Sequence, residues 1–156
     1  MASLTDHIED YLKKLLAIST RSYVEIQRAE LARKFACVPS QVNYVLSSRF
    51  SLARGYLVES RRGGGGYIRI YRIVNPRARS WAETLSRMEA RSFDPAQALQ
   101  FLKRISEEKI ISWRERQMIK ALLQDEHYRG LCREEKRKIQ VKLFKASLEA
   151  VLKNSY

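Results

Sequence analysis

Apolar residues first fall into a helical stripe. Ile8, Tyr11, Leu12, Leu15 and Leu16 stand at i, i+3, i+4, i+7 and i+8, the period of an amphipathic helix. Ser3, with Asp6 three residues on, suits its N-cap. Residues 22–26 change to an extended pattern, and a second helix follows over 26–35 with Leu31, Ala32 and Phe35 on one face. Cys37-Val38 supplies a turn and Pro39 occupies the first position of a third helix, where a missing N–H costs nothing. At 100° per residue Val42, Val45, Leu46 and Phe50 form that helix's inner stripe. Residues 56–60 and 67–70 are β-formers on either side of Gly63, Gly64, Gly65 and Gly66, so they predict a hairpin. A hairpin turn needs one or two glycines; four give a tip with little backbone restraint that can approach another surface closely.

The third helix turns an unusual face outward. Ser40, Gln41, Tyr44, Ser47 and Ser48 point away from the apolar stripe, with Asn43 on its flank. A merely solvated helix would carry Lys and Glu there, whereas amides and hydroxyls suit base edges in a major groove. Arg61 and Arg62 at the root of the glycine tip suit a narrow, negatively charged groove. Taken alone, the glycine run reads equally well as a floppy surface turn. Joined to the two helices before it, it predicts a winged helix-turn-helix. Arg28 and Lys34 are the candidate phosphate contacts, which orient a domain without reading sequence.

These segments resemble a known family. The stretches 25–32, 37–45 and 54–70, including Val38-Pro39-Ser40-Gln41-Val42-Asn43-Tyr44 and Arg61-Arg62 before four glycines, closely resemble the class III stress-gene repressors, CtsR, of low-GC Gram-positive bacteria. The match is nearly continuous over the first seventy or so residues and looser beyond, best at 133–152. Arg61 stands where lysine is common, which preserves charge. The resemblance implies a homodimeric repressor on repeated operators before protease and chaperone genes, with the glycine tip as thermosensor. It also implies a protein-arginine kinase that modifies Arg62, and degradation by the Clp protease after release. Ordering four backbones costs roughly 4–8 kcal/mol, and warming by about 30 degrees raises that for two wings by about 0.8–1.6 kcal/mol. That is on the order of a tenfold weakening, too little for a sharp switch unaided.

Charge agrees with a polyanionic partner. The chain has 30 Lys+Arg against 17 Asp+Glu, net +13 over 156 residues. The excess is shared: 12 basic and 6 acidic residues precede Pro76, and 18 and 11 follow. Residues 75–80 break the pattern and predict a linker between a DNA-binding domain at 1–74 and a helical domain at 81–156. In the latter, Asp94-Pro95 opens a helix using Ala98, Leu99, Leu102 and Ile105. Ser112 with Glu115 opens another containing Met118, Ile119, Leu122 and Leu123. The last, about 133–152, carries apolar residues on more than one stripe, so it must pack on two surfaces. About eighty residues bury only a small core alone, and a dimer follows; a self-contained monomeric bundle is the competing reading.

The fold class expected is therefore mainly α with a small β-wing, an N-terminal winged helix-turn-helix plus a C-terminal helical dimerisation domain. Catalysis is not expected. His7 and His127 adjoin no nucleophile motif, Glu107-Glu108 and Glu134-Glu135 point to different helix faces, and no Lys-Ser/Thr follows the glycines into a helix. Cys37 reads as a packing residue and Cys132 as an ordinary thiol, with no metal or other cofactor. Trp81 and Trp113 read as core or interface anchors. No apolar run approaches a membrane span and 1–10 is unlike a secretory signal, so the cytoplasm is expected. Two other readings stay open: an RNA-binding winged helix, and a protease adaptor acting through the helical half.

Overall fold

A computed structural model describes residues 1–61 and 66–153. The sites expected at Arg62, Gly63, Gly64 and Gly65 lie outside the described residues. Helix α1 (Leu4–Ile18) starts where the sequence predicts: Ser3 Oγ accepts from the Asp6 N–H and the Asp6 carboxylate accepts from the Ser3 N–H. Strand β1 (Tyr23–Gln27), helix α2 (Arg28–Lys34) and helix α3 (Pro39–Arg49) follow. A short 3₁₀ turn leads to strands β2 (Tyr56–Ser60) and β3 (Tyr67–Arg72). The second helix thus begins two residues later than its periodicity suggests, because Ile26 and Gln27 are held in the sheet opposite Ile68 and Tyr67.

The sheet has the order β1-β3-β2 and is antiparallel throughout. Val24, Ile70 and Val58 align across it, and this face packs on the helices. The opposite face carries the row Glu25, Arg69 and Glu59. Ile8 and Leu12 of α1, Leu31 of α2, Val42 and Val45 of α3, and Ile68 and Ile70 of β3 meet in one core. The three-helix arrangement is fixed by that cluster, and α3 contributes the stripe its spacing predicts.

The tight bend between α2 and α3 falls at Ala36, one residue before the predicted turn, with φ 46°. The left-handed region costs an L-residue roughly 1–2 kcal/mol. The bend is closed by the Cys37 N–H donating to Ala32 O at 2.9 Å. Cys37 is partly buried against the core, as a packing residue should be.

Residues 75–80, where a linker is predicted, are mostly helical. Helix α4 (Pro76–Ser86) occupies most of them, with Asn75 Oδ1 accepting from the Arg77 N–H at 2.9 Å. Proline starts this helix instead of breaking the chain. The chain divides into two compact units, Met1–Arg79 and Ser80–Tyr156. The second unit contains the rest of α4, α5 (Pro95–Glu107), α6 (Trp113–Leu122) and α7 (Arg133–Lys153). Asp94 caps α5, and Ser112 with Glu115 forms a complete capping box on α6. Phe93, Phe101 and Phe144 pack ring against ring in its core, and Trp81 stacks edge-on against Phe101. Trp113 does not join them; it is 70% exposed. Buried Gln140 is satisfied at both ends, by the Leu123 carbonyl and the Arg137 guanidinium.

Candidate nucleic-acid interface

Helix α3 is the centre of the site. Ser40, Gln41, Asn43, Tyr44 and Ser47 are exposed and Ser48 is half-buried, while Val42, Val45 and Leu46 are buried beneath them. Tyr44 is 62% exposed. Both serine hydroxyls donate inward to the Tyr44 carbonyl, Ser48 at 2.6 Å and Ser47 at 3.1 Å. Their lone pairs are what they offer outward. Gln41 Oε1 accepts from the Val38 N–H at 3.3 Å, so this amide also caps its own helix. Valine has no side-chain acceptor to return, and half a capping box is all that forms.

The cations expected around this helix have partners. Lys34 Nζ sits 4.6 Å from the centre of the Tyr11 ring, a cation–π contact. Arg28 Nη2 donates to Ser60 Oγ at 2.6 Å. Arg61 Nε donates to Glu59 at 3.2 Å, and that hydrogen bond holds the guanidinium above its ordinary pKa. Arg69, which the sequence reading did not single out, pairs with Glu25 at 2.7 Å and lies over the rings of Tyr23 and Tyr67. Its hydrogen bond to Glu25 likewise raises its pKa.

A second group missed by the sequence reading anchors α3 from behind. Arg49, at its C-terminal end, reaches Glu9 at 3.0 Å and Asp6 at 3.4 Å, and Lys13 holds the other Glu9 oxygen at 2.7 Å. The Lys13 hydrogen bond, with the Lys13 and Arg49 charges, outweighs desolvation and holds Glu9 below its ordinary 4.5. A depressed carboxylate stabilises the fold fully above pH 4.5 and loses that contribution as pH falls through its lower folded value. Glu9→Gln is therefore expected to cost about 1–2 kcal/mol at neutral pH and to flatten the acid side of the stability curve. Denaturant titrations of the two proteins from pH 7 to pH 3 check this, and parallel curves would refute it.

Among the described residues, no group of three or more His, Cys, Asp or Glu could hold a metal ion. None of their helices is long and apolar enough to cross a membrane. The site offers hydrogen-bonding edges and cations, with a helix presented at the surface by a buried three-helix core.

Residues 3–74 match the family model described as the CtsR N-terminal HTH domain. The chain is 45% identical over 123 residues to the transcriptional regulator CtsR of Geobacillus stearothermophilus, covering 79% of this chain and 80% of that one. This chain belongs to the CtsR family. A CtsR from Staphylococcus haemolyticus (strain JCSC1435) is 44% identical over 126 residues, 81% of this chain and 82% of that one. A solved structure, the crystal structure of CtsR in complex with a 26bp DNA duplex, is 40% identical, with TM-score 0.50 over 96% of this chain and 98% of that chain. The CtsR model ends at residue 74, two residues before α4 begins, so α1 to β3 constitute the CtsR helix-turn-helix domain with its three-stranded wing sheet.

Proposed function

We propose that this chain is a DNA-binding transcriptional repressor of stress genes that acts as a homodimer. One observation carries the reading: α3 presents exposed, uncharged hydrogen-bonding side chains over a buried apolar stripe, beside a wing, in a chain whose solved relative is bound to a DNA duplex. Gln41 and Asn43 are the base readers, since amides pair bidentately with adenine. Ser40, Tyr44, Ser47 and Ser48 complete the surface, the last two as acceptors because their protons are committed to the Tyr44 carbonyl. Lys34 flanks it toward the phosphates. Arg61, Arg62 and Gly63 to Gly66 enter the adjacent minor groove.

Gln41→Ala is expected to lower the operator-to-random affinity ratio by about 1–3 kcal/mol, less the capping bond it already makes. Fluorescence anisotropy with both duplexes measures it; an unchanged ratio removes Gln41 as a reader. The overall reading is tested by titrating the chain into its own operon's promoter repeat and a scrambled duplex at two ionic strengths. Selective binding supports it. Equal, steeply ion-sensitive binding to both would leave only a polycation.

Release has two proposed routes. Heat weakens the ordering of the glycine tip, together with other terms of similar sign. Phosphorylation of Arg62 by a protein-arginine kinase adds about −1.5 to −2 charge where a cation met the groove, and the Clp protease removes the released protein. Homodimerisation is supported by the second unit. Helix α7 buries Val141, Phe144, Leu148 and Leu152 on one side, yet Ile139 and Leu143, one turn apart, remain 39% exposed. Met118 and Leu122 of α6 are exposed as well, although their spacing put them on that helix's apolar stripe. An apolar face of this kind is what a second copy would cover.

A further inference from the structure

The hairpin leaves the sheet through Ser60 and Arg61 on one arm and through Gly66 and Tyr67 on the other. One residue of the helix-turn-helix binds both arms there. Arg28, the first residue of α2, donates its backbone N–H to the Gly66 carbonyl at 3.4 Å, and its Nη2 to Ser60 Oγ at 2.6 Å. Its Nε is buried and, among the described residues, has no hydrogen-bond partner. A side chain sent outward to meet phosphate would not bury that donor, whereas one directed across the hairpin's base does. The Arg61 N–H closes the same base on Tyr67 O at 3.0 Å, and Gln27, next to Arg28, stands opposite Tyr67 in the β1–β3 register.

We propose that Arg28 is a positioning residue for the wing. It braces the base of the hairpin against α2, and hence fixes where the wing leaves the domain relative to α3. Its effect on operator binding passes through the wing and not through a phosphate contact of its own. The direction in which a hairpin leaves its sheet depends on what holds its base. The guanidinium suits this role because it is planar and carries several donors in a fixed fork, which an ammonium lacks. The proposal rests on the reading of the wing as a DNA contact.

The test uses the full chain carrying Arg28→Lys, Ser60→Ala, both together, or Ser60→Thr. Each is also made in a background whose residues 62–65 are replaced by Asn-Gly. Arg28→Lys and Ser60→Ala should each weaken operator binding about 3- to 10-fold, the value of one or two hydrogen bonds. The double variant should be no weaker than the worse single, and Ser60→Thr, which keeps the hydroxyl, should bind normally. In the shortened-wing background none of these substitutions should matter, a result that a general loss of structure would not give. Amide exchange at Arg61 in the DNA-free protein should accelerate in Arg28→Lys and Ser60→Ala alike. A silent Ser60→Ala, or losses that multiply in the double variant, would overturn the brace and return Arg28 to the phosphates. So would unchanged exchange at Arg61. Full operator affinity after wing shortening would instead remove the reading on which the proposal rests, whatever the exchange rates show.

Discussion

Leu143→Glu is expected to abolish the proposed dimer and, with it, most operator affinity. Leu143 lies on the side of α7 away from Phe144 and Leu148 and is 39% exposed. A glutamate there sits comfortably in water, so the single chain should keep its stability to within about 0.5 kcal/mol. Between two copies the same carboxylate would be desolvated without a partner, which is strongly unfavourable. Two linked reading heads gain about 10²–10⁴ in avidity over one, and a monomer forfeits that factor. Sedimentation at micromolar concentration should give one chain, and binding to a paired operator should fall by about two orders of magnitude. Affinity for a single half-site should stay as it was. A variant that still sediments as a dimer would remove this face of α7 from the interface.

Phe50→Ala carries the largest expected loss of stability. Phe50 closes α3, is 2% exposed, and meets Tyr56 of β2 edge-on with ring centres 4.9 Å apart. It therefore joins α3 to the wing sheet. Phe→Ala truncations in cores cost about 3–5 kcal/mol, and each kcal/mol lowers the melting point of a domain this size by about 4–8 °C. The first unit should melt about 12–40 °C lower. Both tryptophans, Trp81 and Trp113, belong to the second unit. Their emission should report an unaltered transition while far-ultraviolet circular dichroism shows the early one. A loss below about 1 kcal/mol would mean the site collapses around the smaller side chain.

The parts of this molecule legible in its sequence are those set by local chemistry. Ser3 with Asp6, Asp94 with Pro95, and Ser112 with Glu115 each begin a helix where their types and spacing predict. The inner stripe of α3 is buried as its period requires. Where the reading slipped, a distant partner decided. Ile26 and Gln27 fit a helix by period, but Ile68 and Tyr67 draw them into the sheet. Pro76 fits a break as well as a helix start, and only the chain after it chooses. The side-chain partners of the site were the least legible. Arg28 meets Ser60 across 32 positions and Arg49 meets Glu9 across 40, and no local pattern encodes such pairs. Arg28 accordingly reads as a phosphate contact from sequence alone, and Glu9 attracts no reading at all.

The uncharged face of α3 has a consequence for how promoters compete. On the proposed reading, cations around that face act on phosphates, which every duplex carries, while the amides and hydroxyls on it distinguish one site from another. When the ionic environment of the cell changes, the phosphate contribution shifts by the same factor at every site. Occupancy then rises or falls across the whole regulon together, and the rank order of its promoters is preserved.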